Sequence, residues 1–332
     1  MTRRLLIVVL IVVLFALNLF VGAVSIPWTD TLTVLTGGTV DNAAWTYIIL
    51  DSRLPSAVTA LLCGAALAAA GLMLQTTFRN PLAGPGIFGV SSGASLGVAL
   101  VLLLPAARLS LPALGLSLLT LVGAFVGAIA VLVVILAFAG VVRSNVMLLI
   151  IGIMTGYVAS SAISLLNFFA TDRGVHSYII WGLGSFGGVT TERLPFFVVV
   201  CVLGLLAALL LVKPLNALLL GERYARNLGV NIRAVRMILL AVTGLLTAVT
   251  TAYCGPVAFI GLAVPHVARL LLATDDHRRL MPATMLCGSA AALLCNLLCV
   301  LPGDGGLLPL NAVTPLLGAP VIVYIIAAKN RN

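Results

Sequence analysis

Charged residues are scarce in this sequence. Only 8% of its 332 residues are Asp, Glu, Lys or Arg, and 62% are hydrophobic. A water-soluble globular domain usually carries about 25% charged residues, so this composition excludes that class and predicts an integral membrane protein. The net charge of +9 does not indicate a nucleic-acid partner, because the basic residues are spread thinly between apolar runs.

The chain also lacks the motifs by which a transporter would obtain energy itself. The phosphate-binding pattern GxxxxGK[ST] is absent, and the only lysines are Lys213 and Lys329. The nine acidic residues all fall in predicted loops or at span ends, whereas an ion-driven carrier usually needs a carboxylate within the membrane. We therefore expect that the energy for its function comes from outside this chain. An ion-coupled secondary transporter is the alternative from another class. A membrane enzyme ranks last, because no nucleophile cluster or carboxylate pair is present.

Metal-ligand spacing is absent as well. None of the six cysteines forms a CxxC pair, and the three histidines show no ligand spacing. The sequence thus predicts no zinc site, no disulfide framework and no cofactor bound by this chain. His266 follows Pro265 in an apolar run. We interpret it as a structural residue that bonds the backbone carbonyl freed by the proline one turn back.

The apolar runs predict an all-α, polytopic membrane protein with about ten transmembrane helices. The predicted spans are 5–24, 56–75, 87–104, 114–138, 146–169, 195–212, 237–252, 257–273, 282–301 and 310–328. The first run could instead be a signal peptide, but at about 20 residues it exceeds the usual apolar core of such a peptide, which favours a retained span. Arg53, Arg108, Arg173 and Arg193 fall on one side of this arrangement, and every other lysine and arginine falls on the opposite side. The positive-inside rule makes that opposite side, with both termini, cytoplasmic.

A polar stretch at Lys213–Arg236 interrupts the apolar runs. Leucines recur there at helical spacing, and Glu222 and Arg226 stand four apart in the order that favours a helix ion pair. Gly229 is placed to end one helix in the left-handed conformation, and Asn231 is placed to cap the next. The pattern predicts two short helices joined at a glycine. It fits either a docking surface for another protein or an ordinary basic loop.

Six motifs follow one another in order along most of the chain from residue 53 onward. They are RLP at 53–55, GAALAAAGLMLQTTFRNPLAGPGIFGVSSGASLG at 64–97, WGLGSFGG at 181–188, LGERYARNLGV at 220–230, GPVAFIGLAVPHVARLL at 255–271 with DHRRLMP at 276–282, and LGAP at 317–320. Together they resemble the FecCD-type permeases, the membrane subunits of ABC importers for iron–siderophores, haem and vitamin B12. The number and order of the motifs make this resemblance specific.

The resemblance implies the type II ABC importer permease fold, with one permease domain over residues 1–332 in a bacterial inner membrane. It implies a homodimer with the translocation path along its twofold axis. It also implies two separate ATPase subunits on the cytoplasmic side and one substrate-binding protein outside. The expected substrate is a ferric-siderophore-type metal chelate, with cobalamin and haem as alternatives.

The resemblance also assigns roles to particular positions. The residues expected to couple to the ATPase lie in the polar stretch and are Leu218, Leu219, Gly221, Glu222, Arg223, Ala225, Arg226, Leu228 and Gly229. The residues expected to form the cytoplasmic gate are Asn80, Pro81, Leu82, Ser144 and Asn145. Ordinary turn chemistry is the alternative for the gate, because Asn-Pro and Ser-Asn favour turns.

The remaining assignments concern the path and the outer face. Span 5 carries small polar residues that would line the path, namely Thr155, Ser161, Ser164 and Asn167. Hydrogen bonding between helices within one subunit is the equally weighted alternative. Arg53 would meet acidic residues of the binding protein. Many relatives have a second arginine after the proline of this motif, where this chain has Ser56, so the docking contact would be weaker or rearranged.

Overall fold

The computed structural model describes residues 2–104, 113–142, 144–301 and 306–329, and within these ranges the regular structure is helical. The α-helices are α1 Thr2–Phe20, α2 Trp28–Leu35, α3 Ala43–Tyr47, α4 Leu54–Phe78, α5 Val90–Leu103, α6 Ala113–Val141, α7 Asn145–Phe169, α8 Asp172–Gly182, α9 Leu194–Leu210, α10 Val212–Leu219, α11 Glu222–Asn227, α12 Ile232–Cys254, α13 Ile260–Leu272, α14 His277–Val300 and α15 Leu310–Lys329. The predicted positions of Arg108, Arg143 and Arg331 lie outside the described residues, as do the predicted turn at 105–112 and part of the loop at 302–309.

Each predicted span corresponds to an apolar helix, but the helices differ in length. Six are long and apolar enough to cross a membrane, and the pair α9–α10, bent by 46°, is a seventh candidate. In the other three helices the apolar stretches searched are shorter, at Val90–Leu103, Ile260–Leu272 and the Leu310–Val323 part of α15. A helix of 13 residues, such as α13, is about 20 Å long and falls short of a hydrocarbon core of about 30 Å. The fold is therefore the predicted all-α membrane protein, and within the described residues six or seven of its apolar helices are long enough to cross a membrane.

The short α13 results from a break between it and α12. Gly255 and Phe259 both have positive φ angles, 73° and 66°, and Pro256 between them cannot continue a helix. The chain therefore leaves α12 at Cys254 and enters α13 only at Ile260. The break falls between the predicted spans at 237–252 and 257–273.

Helix α4 lies at the centre of the fold, and all of its residues from Cys63 to Phe78 are buried. Its glycines allow neighbouring backbones to approach closely. A Cβ atom on Gly64 would overlap the carbonyl oxygen of Gly288 in α14, and one on Gly71 would overlap that of Gly261 in α13. Small residues at helix contacts are typical of membrane proteins. Here they bring α13 and α14 against the helix that leads into the predicted gate.

Helix α7 lies at the edge of the fold. It packs against α5 and α6, and the opposite face leaves large apolar side chains exposed, among them Tyr157, Val158, Leu165 and Phe168. Of the residues in its most apolar 18-residue stretch, only 17% are buried within the chain. The corresponding share for the segment that contains α4 is 83%. The single chain therefore leaves one face of α7 uncovered.

Candidate coupling surface and gate

The polar stretch between α9 and α12 forms two short helices, α10 and α11, followed by the start of α12. Gly229 has φ 81° and ends α11, and the side chain of Asn231 accepts a hydrogen bond from the backbone N–H of Ala234 at 3.1 Å. Both features confirm the prediction. The structure adds a second break, because Gly221 has φ 115°, a conformation that residues with a Cβ atom avoid. The sequence prediction of one continuous helix up to Gly229 was wrong at this point.

The exposed apolar residues of this region form a patch that we call the coupling surface, defined by Leu219, Leu220, Tyr224 and Leu228. Of these, Leu220 is 65% exposed and Leu228 is 59% exposed. Arg223 and Arg226 are exposed beside them, and Gly229 is exposed at the end of α11. An apolar patch rimmed by charged residues is typical of a surface that contacts another protein.

Two of the residues assigned to coupling face inward instead. Leu218 is 7% exposed and Ala225 is 0% exposed, and both belong to the main apolar core together with Leu215. These side chains attach α10 and α11 to the membrane-spanning helices. They do not contribute to the coupling surface itself.

Glu222 lies behind the coupling surface and binds two residues from other parts of the chain. Its Oε1 atom accepts hydrogen bonds from Nη2 of Arg236 at 3.2 Å and from Nδ2 of Asn145 at 3.0 Å. The predicted ion pair with Arg226 is wrong, because Arg236 on α12 supplies the cation. Glu222 is the first residue of α11 after the break at Gly221, so a tertiary neighbour rather than the next helical turn provides its partner.

Asn145 connects this carboxylate to the end of α4. Its Nδ2 also donates to the backbone carbonyl of Thr77 at 3.2 Å, so one amide group holds α7, α11 and α4 together. Its Oδ1 is buried and has no hydrogen-bond partner within the described residues. Ser144, the residue before it, caps α7 by accepting from the N–H of Met147 at 3.3 Å. The structure therefore joins one predicted gate turn directly to the helix that enters the other.

The other predicted gate turn follows α4. Asn80 Oδ1 accepts from the backbone N–H of Leu82 at 2.9 Å, which is the side-chain turn that the sequence predicted. Nε2 of His266 on α13 donates to the carbonyl of Pro81 at 2.8 Å. His266 is thus bonded to backbone, as we interpreted, and the carbonyl belongs to this turn. Pro81 and Leu82 are exposed.

Three further hydrogen bonds fix α10 next to the end of α4 and the start of α14. Nη2 of Arg79 donates to the carbonyl of Leu218 at 3.0 Å. Asn216 donates from Nδ2 to Oδ1 of Asp276 at 2.6 Å and accepts the N–H of His277 at 2.8 Å. The backbone N–H of Arg278 and the amide of Asn216 hold the pKa of the Asp276 carboxyl below its ordinary value.

The same histidine completes the connection to α4. Nε2 of His277 lies 2.8 Å from Oγ1 of Thr76, the residue before Thr77. Sequence reasoning missed this set of contacts. The only available signal was a polar residue, Asn216, among the leucines of α10.

The four predicted path residues lie on α7, and two of them donate hydrogen bonds within that helix. Thr155 donates to the carbonyl of Ile151 at 2.7 Å, and Ser164 donates to that of Ser160 at 3.0 Å. Ser161 and Ser164 are exposed and line an open depression on the surface of the helix. Asn167 has a buried Oδ1 without a partner among the described residues.

Arg53 is buried, with an exposed fraction of 8%. Its Nη1 atom donates to the carbonyls of Leu19 and Phe20 at 2.9 and 3.0 Å, and its Nη2 donates to that of Val24 at 2.5 Å. The guanidinium thus satisfies carbonyls at and just after the end of α1. In this conformation it is not presented to a partner, and its role in docking a binding protein stays a prediction.

Within the ranges that the structure describes, no group of three or more His, Cys, Asp or Glu side chains could hold a metal ion. The six cysteines are all free and buried.

Comparison with known proteins identifies the family. A model of the FecCD transport family matches residues 10–328. The vitamin B12 import system permease protein BtuC of Escherichia coli O6:H1 is 37% identical over 279 residues, covering 84% of this chain and 83% of that protein. The protein of the same name from Shigella sonnei is 37% identical over 283 residues, with the same coverage.

Solved structures agree with this relationship. An inward-facing conformation of a transporter assigned to the metal-chelate type of ABC transporters superimposes with a TM-score of 0.84 at 29% identity, covering 97% of both chains. PsaBC from Streptococcus pneumoniae shares the fold alone, with a TM-score of 0.51 at 14% identity over 82% of this chain and 90% of that one. The chain described here belongs to the FecCD transport family and is an ABC importer permease, a multi-pass transport subunit that leaves ATP hydrolysis to separate subunits.

Proposed function

We propose that this permease carries a bulky metal chelate into the cytoplasm and that cobalamin is the first candidate. The similarity to permeases named for vitamin B12 import, at 37% identity over 84% of the chain, supports cobalamin. A ferric siderophore is the second candidate, supported by the likeness to a metal-chelate type transporter. Haem is the third. The substrate-binding protein selects among such chelates before they reach the permease.

The observation that carries the mechanism is the chain of contacts from the coupling surface to the gate. A separate ATPase would press on Leu219, Leu220, Tyr224 and Leu228. Because Glu222 bonds both Arg236 and Asn145, movement of α11 would pull on the start of α7. The packed helices would transmit the displacement without absorbing it, since close-packed interiors deform little.

The same contacts explain how the gate would open. Asn145 holds the start of α7 to Thr77 at the end of α4. Breaking that hydrogen bond would separate Ser144 and Asn145 from the turn at 79–84. The buried Oδ1 of Asn145, which lacks a partner among the described residues, adds a cost of about 1–3 kcal/mol to the arrangement seen in this structure. Such a cost favours a gate that can change state.

The uncovered face of α7 supports a homodimer with the path between its two copies. Exposed Ser161 and Ser164 lie among the apolar side chains of this face, and small polar residues on a membrane-spanning helix are typical of a face that contacts another helix. The second copy would provide that surface, and Thr155, Ser161, Ser164 and Asn167 would border the path. Small, weakly polar groups suit the passage of a large chelate, because they offer no strong binding site. One substrate-binding protein would deliver the chelate outside, and both termini would be cytoplasmic.

Uptake by the reconstituted transporter tests this proposal. Proteoliposomes containing the permease and its cognate ATPase would receive the cognate binding protein loaded with cobalamin, a ferric siderophore or haem. We expect ATP-dependent uptake of cobalamin in the absence of ion gradients. Uptake of the ferric siderophore alone would identify the second candidate as the substrate. Uptake that follows an ion gradient and ignores ATP would reject the importer mechanism.

A further inference from the structure

A cavity of about 480 Å³ lies where the end of α6 meets α11 and the start of α12. Gly140 and Val141 form one wall, and Arg226, Arg233 and Arg236 reach the cavity from the other side. We call it the arginine pocket. Because Arg236 pairs with Glu222 behind the coupling surface, the pocket opens on the same side of the membrane as that surface.

Two of the three arginines in this pocket carry uncompensated charge. Arg236 is 7% exposed, pairs with Glu222 at 3.2 Å and donates to the carbonyl of Val142 at 3.2 Å. Arg226 and Arg233 are exposed, and no salt bridge joins either of them to an acidic residue of the described chain. The partial positive charge at the start of α12 adds to theirs. The arginine pocket is therefore built to attract an anion.

The surface that leads to the pocket is apolar. Val134, Phe138 and Val141 are spaced four and three residues apart and form one exposed stripe along α6. Val141 is 81% exposed at the mouth of the pocket. In a membrane-spanning helix such a stripe contacts lipid chains. A ligand that fills both regions needs an anionic head and apolar tails, which free phosphate does not have.

We propose that the arginine pocket binds the phosphate head group of an anionic phospholipid, phosphatidylglycerol, with its acyl chains along the α6 stripe. Basic pockets between membrane-spanning helices on the cytoplasmic side bind such head groups. The bound head group would lie beside the Glu222–Arg236 pair. This inference does not depend on which substrate the permease transports. It depends only on the location of the protein in a membrane and on the geometry of the pocket.

Native mass spectrometry of the purified full-length permease tests the site. The protein in detergent would be titrated separately with dioleoyl-phosphatidylglycerol, dioleoyl-phosphatidylcholine and inorganic phosphate. We expect selective retention of phosphatidylglycerol and a loss of affinity of about fivefold in Arg233→Gln, from the roughly 1 kcal/mol that one basic residue contributes near anionic lipid. Arg278→Gln is the matched control, because Arg278 is an exposed arginine at the start of α14. It should bind phosphatidylglycerol as the wild type does.

A second variant keeps the test decisive if Arg233→Gln fails to fold. Val141→Glu places a carboxylate at the mouth of the pocket on a side chain that packs against little, and it should also reduce phosphatidylglycerol binding. Equal binding of the two lipids, or unchanged binding in both variants, would overturn the proposal. Phosphate binding with the same dependence on Arg233 would make this a small-anion site. Loss of the lipid when the ATPase docks would assign the pocket to that partner instead.

Discussion

Nδ2 of Asn145 donates a hydrogen bond to Oε1 of Glu222 at 3.0 Å, whereas Oδ1 of the same side chain is buried with no partner within the described residues. One side chain therefore connects the start of α7 to the helix behind the coupling surface and leaves one of its own polar atoms unsatisfied. Buried acceptors without partners are uncommon in folded proteins. This contact is where we expect motion of the coupling surface to reach the gate.

Replacing Glu222 tests that connection. Glu222→Ala removes the bonds to Asn145 and Arg236 together, and we expect uptake per ATP hydrolysed to fall about tenfold, since a hydrogen bond to a charged group contributes about 1.5–3 kcal/mol. ATP hydrolysis by the complex should continue, because the coupling surface itself is unchanged. Simultaneous assay of uptake and phosphate release in proteoliposomes measures the ratio.

The matched control for this variant is Glu192→Ala, an exposed glutamate in the segment between α8 and α9. It should leave the ratio at the wild-type value. A Glu222→Ala transporter with normal uptake per ATP would show that force reaches the gate by another route.

Replacing Leu82 and Asn145 together by glycine should make the closed path leaky. The double variant loses the side chain that bonds Thr77 and Glu222 and an exposed apolar side chain of the opposite gate turn. We expect preloaded substrate to leave proteoliposomes that contain the permease without its ATPase. Leu301→Gly, which alters an exposed leucine at the end of α14, is the control. Retention equal to that of the wild type would count against the gate assignment.

Gly71→Ala should destabilise the fold. The added methyl group would overlap the carbonyl oxygen of Gly261 in α13, and overpacking a close-packed contact usually costs about 1–3 kcal/mol. Thermal unfolding of the purified permease, followed by the loss of monodisperse protein, measures the change. Gly86→Ala is the control, because a Cβ atom there meets no atom within 4 Å. Equal stability of both variants would contradict the packing of α4 against α13.

Arg53→Glu separates a structural role from a docking role. The carboxylate cannot donate to the carbonyls of Leu19, Phe20 and Val24 that the guanidinium now satisfies, so we expect a lower unfolding temperature. Leaving such acceptors unsatisfied costs about 1–3 kcal/mol each. Affinity for the binding protein, measured at low salt on protein that remains folded, tests docking. Unchanged affinity would remove Arg53 from the interface.

Features set by local physics could be predicted from the sequence. The apolar runs determined where the helices lie, because each buried backbone in a membrane must satisfy its own hydrogen bonds. Gly229 and Asn231 determined how α11 ends and α12 begins, since both act within a few residues of themselves. The motif order also led to the family that the comparisons identify.

Features set by contacts between distant residues needed the tertiary structure. Helical spacing offered Arg226 as the partner of Glu222, but α12 brings Arg236 closer. Leu218 and Ala225 share the pattern of their exposed neighbours and are nevertheless buried. Arg53 turned inward because the end of α1 presents carbonyls to it. A sequence specifies which groups need partners, while only the packed chain decides which partner lies within hydrogen-bond reach, because that choice depends on helices separated by tens to hundreds of residues.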